Sequence, residues 1–189
     1  NMTKYAVQIN EPNEIKYHLD KACKLATTGR PGPVWLDIPL NVQSADINPD
    51  ELIGYEDEDE VIQYDEEDII TLKEKWEKAK KPLMIVGNGV RFSDAVDELK
   101  KLLQLTNIPV ISSVNGNDII NSDYEYYYGR FGTHAQICAN NLLNECDLLI
   151  TIGSRLYVRQ TGYNFKGFAE QAYKIHIDID KAELDRQLD

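Results

Sequence analysis

From Pro82 onward the sequence alternates short, wholly apolar runs with amphipathic stretches, and this alternation constrains the fold more than any other feature. Leu83-Met84-Ile85-Val86, Val110-Ile111, Leu148-Leu149-Ile150-Thr151-Ile152 and Ile175-His176-Ile177-Asp178 read as four strands. Their continuous apolar character predicts burial on both faces, as in a parallel sheet covered by helices. Between them, a helix capped by Ser93 places Val96, Leu99 and Leu103 on one face. A second helix, from about Thr133, carries Ala135, Cys138, Ala139, Leu142 and Cys146, and a short one follows near Ala182. Crossovers between parallel strands are right-handed. The expected fold class is therefore α/β, a Rossmann-like, doubly wound, mostly parallel sheet.

A helix–strand appendage precedes this unit. Ile15, Leu19, Ala22, Cys23 and Ala26 recur at helical spacing, and the rigid turn Gly29-Arg30-Pro31-Gly32-Pro33 leads into an apolar strand, Val34 to Ile38, stopped by Pro39. One helix and one strand cannot bury a core alone, so this part is expected to pack on something else. Residues from about Asn41 to Tyr64 lack periodicity, and Asp50 to Asp68 hold many acids and no Lys or Arg, as a solvated linker would. Asp65 then reads as the N-cap of a helix with Ile69, Leu72, Trp76 and Ala79 along one side. The predicted organisation is an appendage over 1–48, an acidic linker over 49–64 and the Rossmann-like domain over 65–189. Asn1 ahead of Met2 suggests a chain trimmed, tagged or cut from something longer.

The net charge of −12 argues against nucleic acid and anionic membranes as partners. No apolar run approaches a membrane span. Cys23, Cys138 and Cys146 form neither a pairing framework nor a metal-ligand spacing, which fits a reducing, cytoplasmic setting. His134 and Cys138, four apart, lack a third ligand, so no metal site is expected. The serines lie in no nucleophile motif, and no catalytic residue is assigned. The cluster Tyr124, Tyr126, Tyr127 and Tyr128 reads as packing or subunit contact.

Ligands of an open parallel sheet sit beyond the carboxyl ends of its strands. Four segments should converge there: Gly87-Asn88-Gly89-Val90-Arg91, Asn115 to Asp118, Gly153-Ser154-Arg155 and Asp178-Ile179-Asp180. Free amides with Arg91 or Arg155 could hold a pyrophosphate, and Asp178 could accept from a ribose or adenine edge. Gly129 to Thr133 offers a further anion contact at a helix start. The alternative stays open that these glycines only make tight turns, since neither a full G-x-G-x-x-G nor a P-loop is present.

Several of these stretches, in this order, resemble acetolactate-synthase-like thiamine-diphosphate enzymes. Gly29 to Pro39 with Asn41-Val42-Gln43 resembles the end of their pyrimidine-binding domain, and Lys81-Pro82 through Arg91 the opening of their central domain. Gly153-Ser154-Arg155 with Arg159, Thr161-Gly162 and Phe168-Ala169 is similar to that domain's G-x-R-x-x-x-R-x-T-G stretch, and Lys174 through Glu183 resembles its close. The resemblance implies a 2-oxo acid carboligase or decarboxylase. Its thiamine diphosphate, Mg and catalytic residues would lie outside this chain, in pyrimidine- and diphosphate-binding domains of the same polypeptide. Assembly as a homodimer or homotetramer is likewise implied. In flavin-containing members the central domain holds FAD. Carried over by position, its contacts are Gly87, Gly89, Gly129 to Gly132, Gly153, Arg155, Arg159, Asp178 and Ile179. Two departures stand out. Gly129-Arg130-Phe131-Gly132 replaces a Gly-Met-His-Gly-like segment, and Ser154 to Arg159 lacks the paired acids of synthases. A free-standing FAD or adenine-nucleotide module is the alternative reading.

Overall fold

A computed structural model describes residues 2–56 and 64–185, so part of the acidic stretch, residues 57–63, lies outside the described residues. The chain divides into two compact units, Asn1–Ile62 and Gln63–Asp189.

In the first unit, strand β1 (Tyr5–Gln8) pairs in parallel with β2 (Val34–Asp37), in register from Tyr5↔Val34 to Gln8↔Asp37. Helix α1 (Ile15–Thr27) makes the crossover. Sequence reading predicted one strand here and missed β1, whose alternation over only four residues is a weak signal beside the long helix. The stretch read as featureless from Asn41 contains a helical turn, α2 (Leu40–Gln43), and a 3-10 turn at Pro49–Glu51 whose Asn48 side chain accepts from Asp50 N. Both are too short to show a period.

The second unit opens with α3 (Glu66–Lys78). Asp65 caps it by accepting from Glu67 N at 3.0 Å, acids fill its first turn, and Lys75 and Lys78 lie in its last. There follow β3 (Pro82–Val86), α4 (Gly89–Phe92), α5 (Val96–Thr106), β4 (Val110–Ser112), β5 (Tyr127–Arg130), α6 (Ile137–Glu145), β6 (Leu148–Ile152), α7 (Val158–Thr161), β7 (Tyr173–Ile177) and α8 (Lys181–Leu184). The sheet is parallel throughout, in the order β5-β4-β3-β6-β7. Alternate residues of β3 point to opposite faces. Leu83 and Ile85 join Ala139 and Leu143 of α6 and Cys146 just after it, whereas Met84 and Val86 join Leu99 and Leu103 of α5 with Trp76 of α3. Two separate cores on the two faces of one sheet are the hallmark of a doubly wound domain, as the alternation predicted.

Three local expectations are corrected. Ser93 ends α4 instead of capping α5, whose N-cap is Ala95. The helix expected from Thr133 begins at Ile137. Residues before it bond outward to neighbours: Gly132 N to Asn140 Oδ1 at 3.0 Å, and Thr133 Oγ1 to the Arg159 carbonyl at 2.7 Å. Five strands are present, not four. The added strand, β5, lies within the tyrosine cluster, where Tyr127 and Ser112 share a hydroxyl hydrogen bond of 2.7 Å and Tyr124 donates to the Leu103 carbonyl at 2.8 Å. Strand register shifts between Val110 and Ser112, which accommodates this irregular edge.

Candidate functional site

The chain runs from β3 outward to β4 and β5, then returns to the other side of β3 as β6. The direction of winding reverses between β3 and β6, and the loops after these strands mark the place where such sheets bind ligands. All four segments expected there do meet. The Ser113 amide donates to Val86 O, Gly87 N to Ile152 O and Gly153 N to Ile177 O, each at 2.9 Å, so the ends of β4, β3, β6 and β7 are stitched edge to edge.

The contact between Gly87 and Gly153 is the tightest part of this rim. A Cβ on Gly87 would lie 2.2 Å from the Gly153 carbonyl oxygen and 2.4 Å from Ser154 Cα. Gly153 itself has φ of +55°, in the left-handed region that favours glycine. Amides of the first loop are occupied by protein acceptors. Gly87 N donates to Ile152 O and Gly89 N to Gly153 O, both at 2.9 Å, while Val90 N donates to Gly87 O and Arg91 N to Asn88 O. A pyrophosphate cradle needs these N–H groups aimed into open space. Here they hold one loop against the other.

The rim arginines are held by carboxylates. Arg155 Nε lies 2.7 Å from Oε1 of Glu183, a residue only 6% exposed. This ion pair fastens the loop after β6 to α8. Arg91 donates to Asp118 Oδ1 at 2.6 Å and to Asn88 Oδ1 at 2.9 Å. The hydrogen bond from Arg91 holds the Asp118 carboxyl below its ordinary pKa. Asp178 accepts from Asp180 N at 3.0 Å, and Ile179 beside it is half exposed. The donor set and the closed glycine contact thus do not fit a dinucleotide pyrophosphate as they stand. Sequence reasoning had no signal for Asp118 or Glu183 as arginine partners, because both pairs join segments remote in sequence.

Gly129, Gly132 and Arg159 form a second group. Gln136 Oε1 accepts from Arg130 N at 2.7 Å next to Gly129, Asn140 brackets Gly132 by bonds to its N–H and carbonyl, and Thr133 reaches the Arg159 backbone. Beside Gly132 is a cleft of about 300 Å³, bordered by Thr133, Asn140, Asn144, Gln160, Thr161 and Phe168, with no ionisable side chain in its wall. Among the described residues, two buried side-chain oxygens lack a hydrogen-bond partner, Ser154 Oγ in the loop after β6 and Gln160 Oε1 in α7. Ser154 belongs to a rim segment expected from the sequence, whereas Gln160 was not singled out. His134 and Cys138 are exposed, and no group of three or more His, Cys, Asp or Glu suited to a metal occurs among the described residues. No helix among them is long and apolar enough to cross a membrane.

Comparison with known proteins agrees with this architecture. Residues 71–189 match the family described as the thiamine pyrophosphate enzyme central domain. The chain belongs to this family. Similar proteins include the acetolactate synthase isozyme 2 large subunit of Escherichia coli, 34% identical over 186 residues. The acetolactate synthase large subunit of Corynebacterium glutamicum is 37% identical over 188 residues, and a probable acetolactate synthase large subunit of Methanococcus aeolicus 36% over 195. These matches take in 97–99% of this chain but only 29–33% of each relative. The central-domain family accounts for the five-stranded parallel sheet, and the likeness to synthase large subunits across both units does not favour a free-standing flavin module.

Proposed function

We propose that this chain is the structural centre of a thiamine-diphosphate-dependent 2-oxo acid carboligase or decarboxylase. The observation that carries this reading is the near end-to-end likeness to synthase large subunits three times its length. On this reading residues 1–48 are the C-terminal end of a pyrimidine-binding domain, 49–64 a connector and 65–189 the central domain. Thiamine diphosphate with Mg, bound by residues outside this chain, would supply the electron sink that holds the carbanion left when a 2-oxo acid loses its carboxylate as CO2. The full-length protein would act as a homodimer or homotetramer, and the free state of Cys23, Cys138 and Cys146 supports a cytoplasmic setting.

The role assigned to the central domain is to hold its neighbours, with nucleotide binding secondary. Gly87, Gly89 and Gly153 serve the loop contact and Arg155 the α8 anchor, so a nucleotide's remaining candidate contacts are Arg159, Asp178 and Ile179. The full-length protein, supplied with thiamine diphosphate and Mg, is expected to consume pyruvate or another 2-oxo acid. Failure to turn over any 2-oxo acid across a panel refutes the activity. Added FAD is expected to leave the melting temperature unchanged, because only a ligand selective for the native state raises it. A yellow purified protein would refute the scaffold role as stated.

A further inference from the structure

In the first unit, Lys21 of α1 projects its ammonium among three tyrosine rings. Its Nζ lies 5.2 Å from the ring centre of Tyr5, 5.4 Å from Tyr17 and 5.2 Å from Tyr55, all within the range of a cation–π attraction. The three rings come from three places: β1, α1 one turn before Lys21, and the segment that follows the Pro49–Glu51 turn. Tyr17 also packs edge-on against Tyr55 at 5.4 Å and against His18 at 5.3 Å. His18 in turn is bonded to the Tyr5 hydroxyl at 2.6 Å and lies 3.5 Å from Glu14. Beside the rings the backbone comes close as well. A Cβ on Gly54 would stand 2.7 Å from Asp20 Oδ2, so the residue before Tyr55 lies directly on α1.

The chain from Ile47 to Glu56 is acidic and mostly exposed, and its regular structure is a single 3-10 turn. Such a segment has little apolar surface with which to hold a position. We propose that Lys21 is a charge-dependent clasp, which pins Tyr55 and with it the start of the acidic connector to α1 and β1. The ammonium is the shared element, since it lies against all three rings, whereas Tyr17 packs on Tyr55 alone of the other two. A hydrogen bond from Lys21 Nζ to the Tyr17 hydroxyl at 3.4 Å, reinforced by the tyrosines' own charge when ionised, shifts Lys21 to a higher pKa and keeps it protonated. Removal of the charge, by substitution or by acylation of the amine, is expected to free Tyr55.

Two measurements on the full-length protein test this. The first is the rate of chymotryptic cleavage after Tyr55, followed by mass spectrometry. Lys21→Met keeps the length and removes the charge, and it should raise that rate about two- to fivefold, while Lys21→Arg keeps it near wild type. Equal rates in wild type and Lys21→Met overturn the proposal. The second needs no variant. In the unmodified protein, acetic anhydride should label Lys21 several-fold more slowly than Lys16 on the same helix, and equal labelling rates overturn the proposal even where Lys21→Met does not fold.

Discussion

Substitution of Gly87 by alanine probes the seam between β3 and β6 directly. The new Cβ would stand 2.2 Å from the Gly153 carbonyl oxygen and 2.4 Å from Ser154 Cα, and both obstacles are backbone. Carbon contacts settle at about 3.5–4.0 Å, so the two loops must part by roughly 1 Å. Parting weakens the Gly89 N–H bond to Gly153 O, at about 1 kcal/mol, and adds about 1–3 kcal/mol of overpacking strain. The expected loss is about 3 kcal/mol, or roughly 6–12 °C in melting temperature. Gly167→Ala is the control, because its Cβ would meet only the side-chain nitrogen of Asn164, at 3.0 Å, on an exposed turn. Circular dichroism melts of wild type and both variants make the comparison. If Gly87→Ala melts within a degree of wild type, the loops do not meet as described. If Gly167→Ala falls as far, the loss is a general cost of replacing glycine and says nothing about the seam.

Two further predictions concern ionisable groups of the second unit. Burial pushes the Cys146 thiol up to about 11, so at pH 8 only about one molecule in a thousand carries the thiolate there. An aromatic disulfide reagent should modify the exposed Cys23 and Cys138 in the native protein and reach Cys146 only on unfolding, and fast reaction of all three thiols would refute its burial. Asp147 is partly buried, which opposes ionisation, but the backbone N–H groups of Lys80 and Lys81, at 2.8 and 2.9 Å, outweigh this and lower its pKa below 3.8. A carboxyl depressed by folding adds stability above its unfolded pKa and loses it as pH falls through the folded value. Asp147→Asn should therefore cost about 1 kcal/mol at neutral pH by urea denaturation, with the gap to wild type narrowing below pH 3.8; a gap independent of pH would refute the role of the charge.

What the sequence disclosed about the fold follows the strength of its periodic signals. β3 and β6 are apolar along five residues and buried on both faces, so they are visible without a structure. β5 was hidden because its four residues, Tyr-Tyr-Gly-Arg, contain a glycine and an arginine and lie at a sheet edge, where a strand can be short and polar. β1 was hidden for a related reason: in a two-stranded sheet each strand has one inward face, and alternation over four residues is too brief to count. The start of α6 was misplaced by four residues because Gly132 and Thr133 satisfy their backbone and side-chain groups on Asn140 and Arg159, partners that no local pattern reveals.

The rim loops show why a ligand site is harder to read than a strand. Glycines after β3 and β6 have the same appearance in a sequence whether they make room for a phosphate or for another backbone. Only the position of the opposite loop separates the two cases, and here Gly153 occupies the space beside Gly87. The arginines present the same ambiguity, since Arg91 and Arg155 suggest an anion until Asp118 and Glu183 are found against them. The two pairs differ in strength. Arg91 and Asp118 are both well exposed, so water screens them and a competing anion could displace the carboxylate cheaply. Glu183 is buried, so its pair with Arg155 is less screened by water than the Arg91 pair. The loop after β6 is consequently the more firmly held side of this seam, whereas Arg91 in the loop after β3 is the arginine of the two that an anionic ligand could recruit more cheaply.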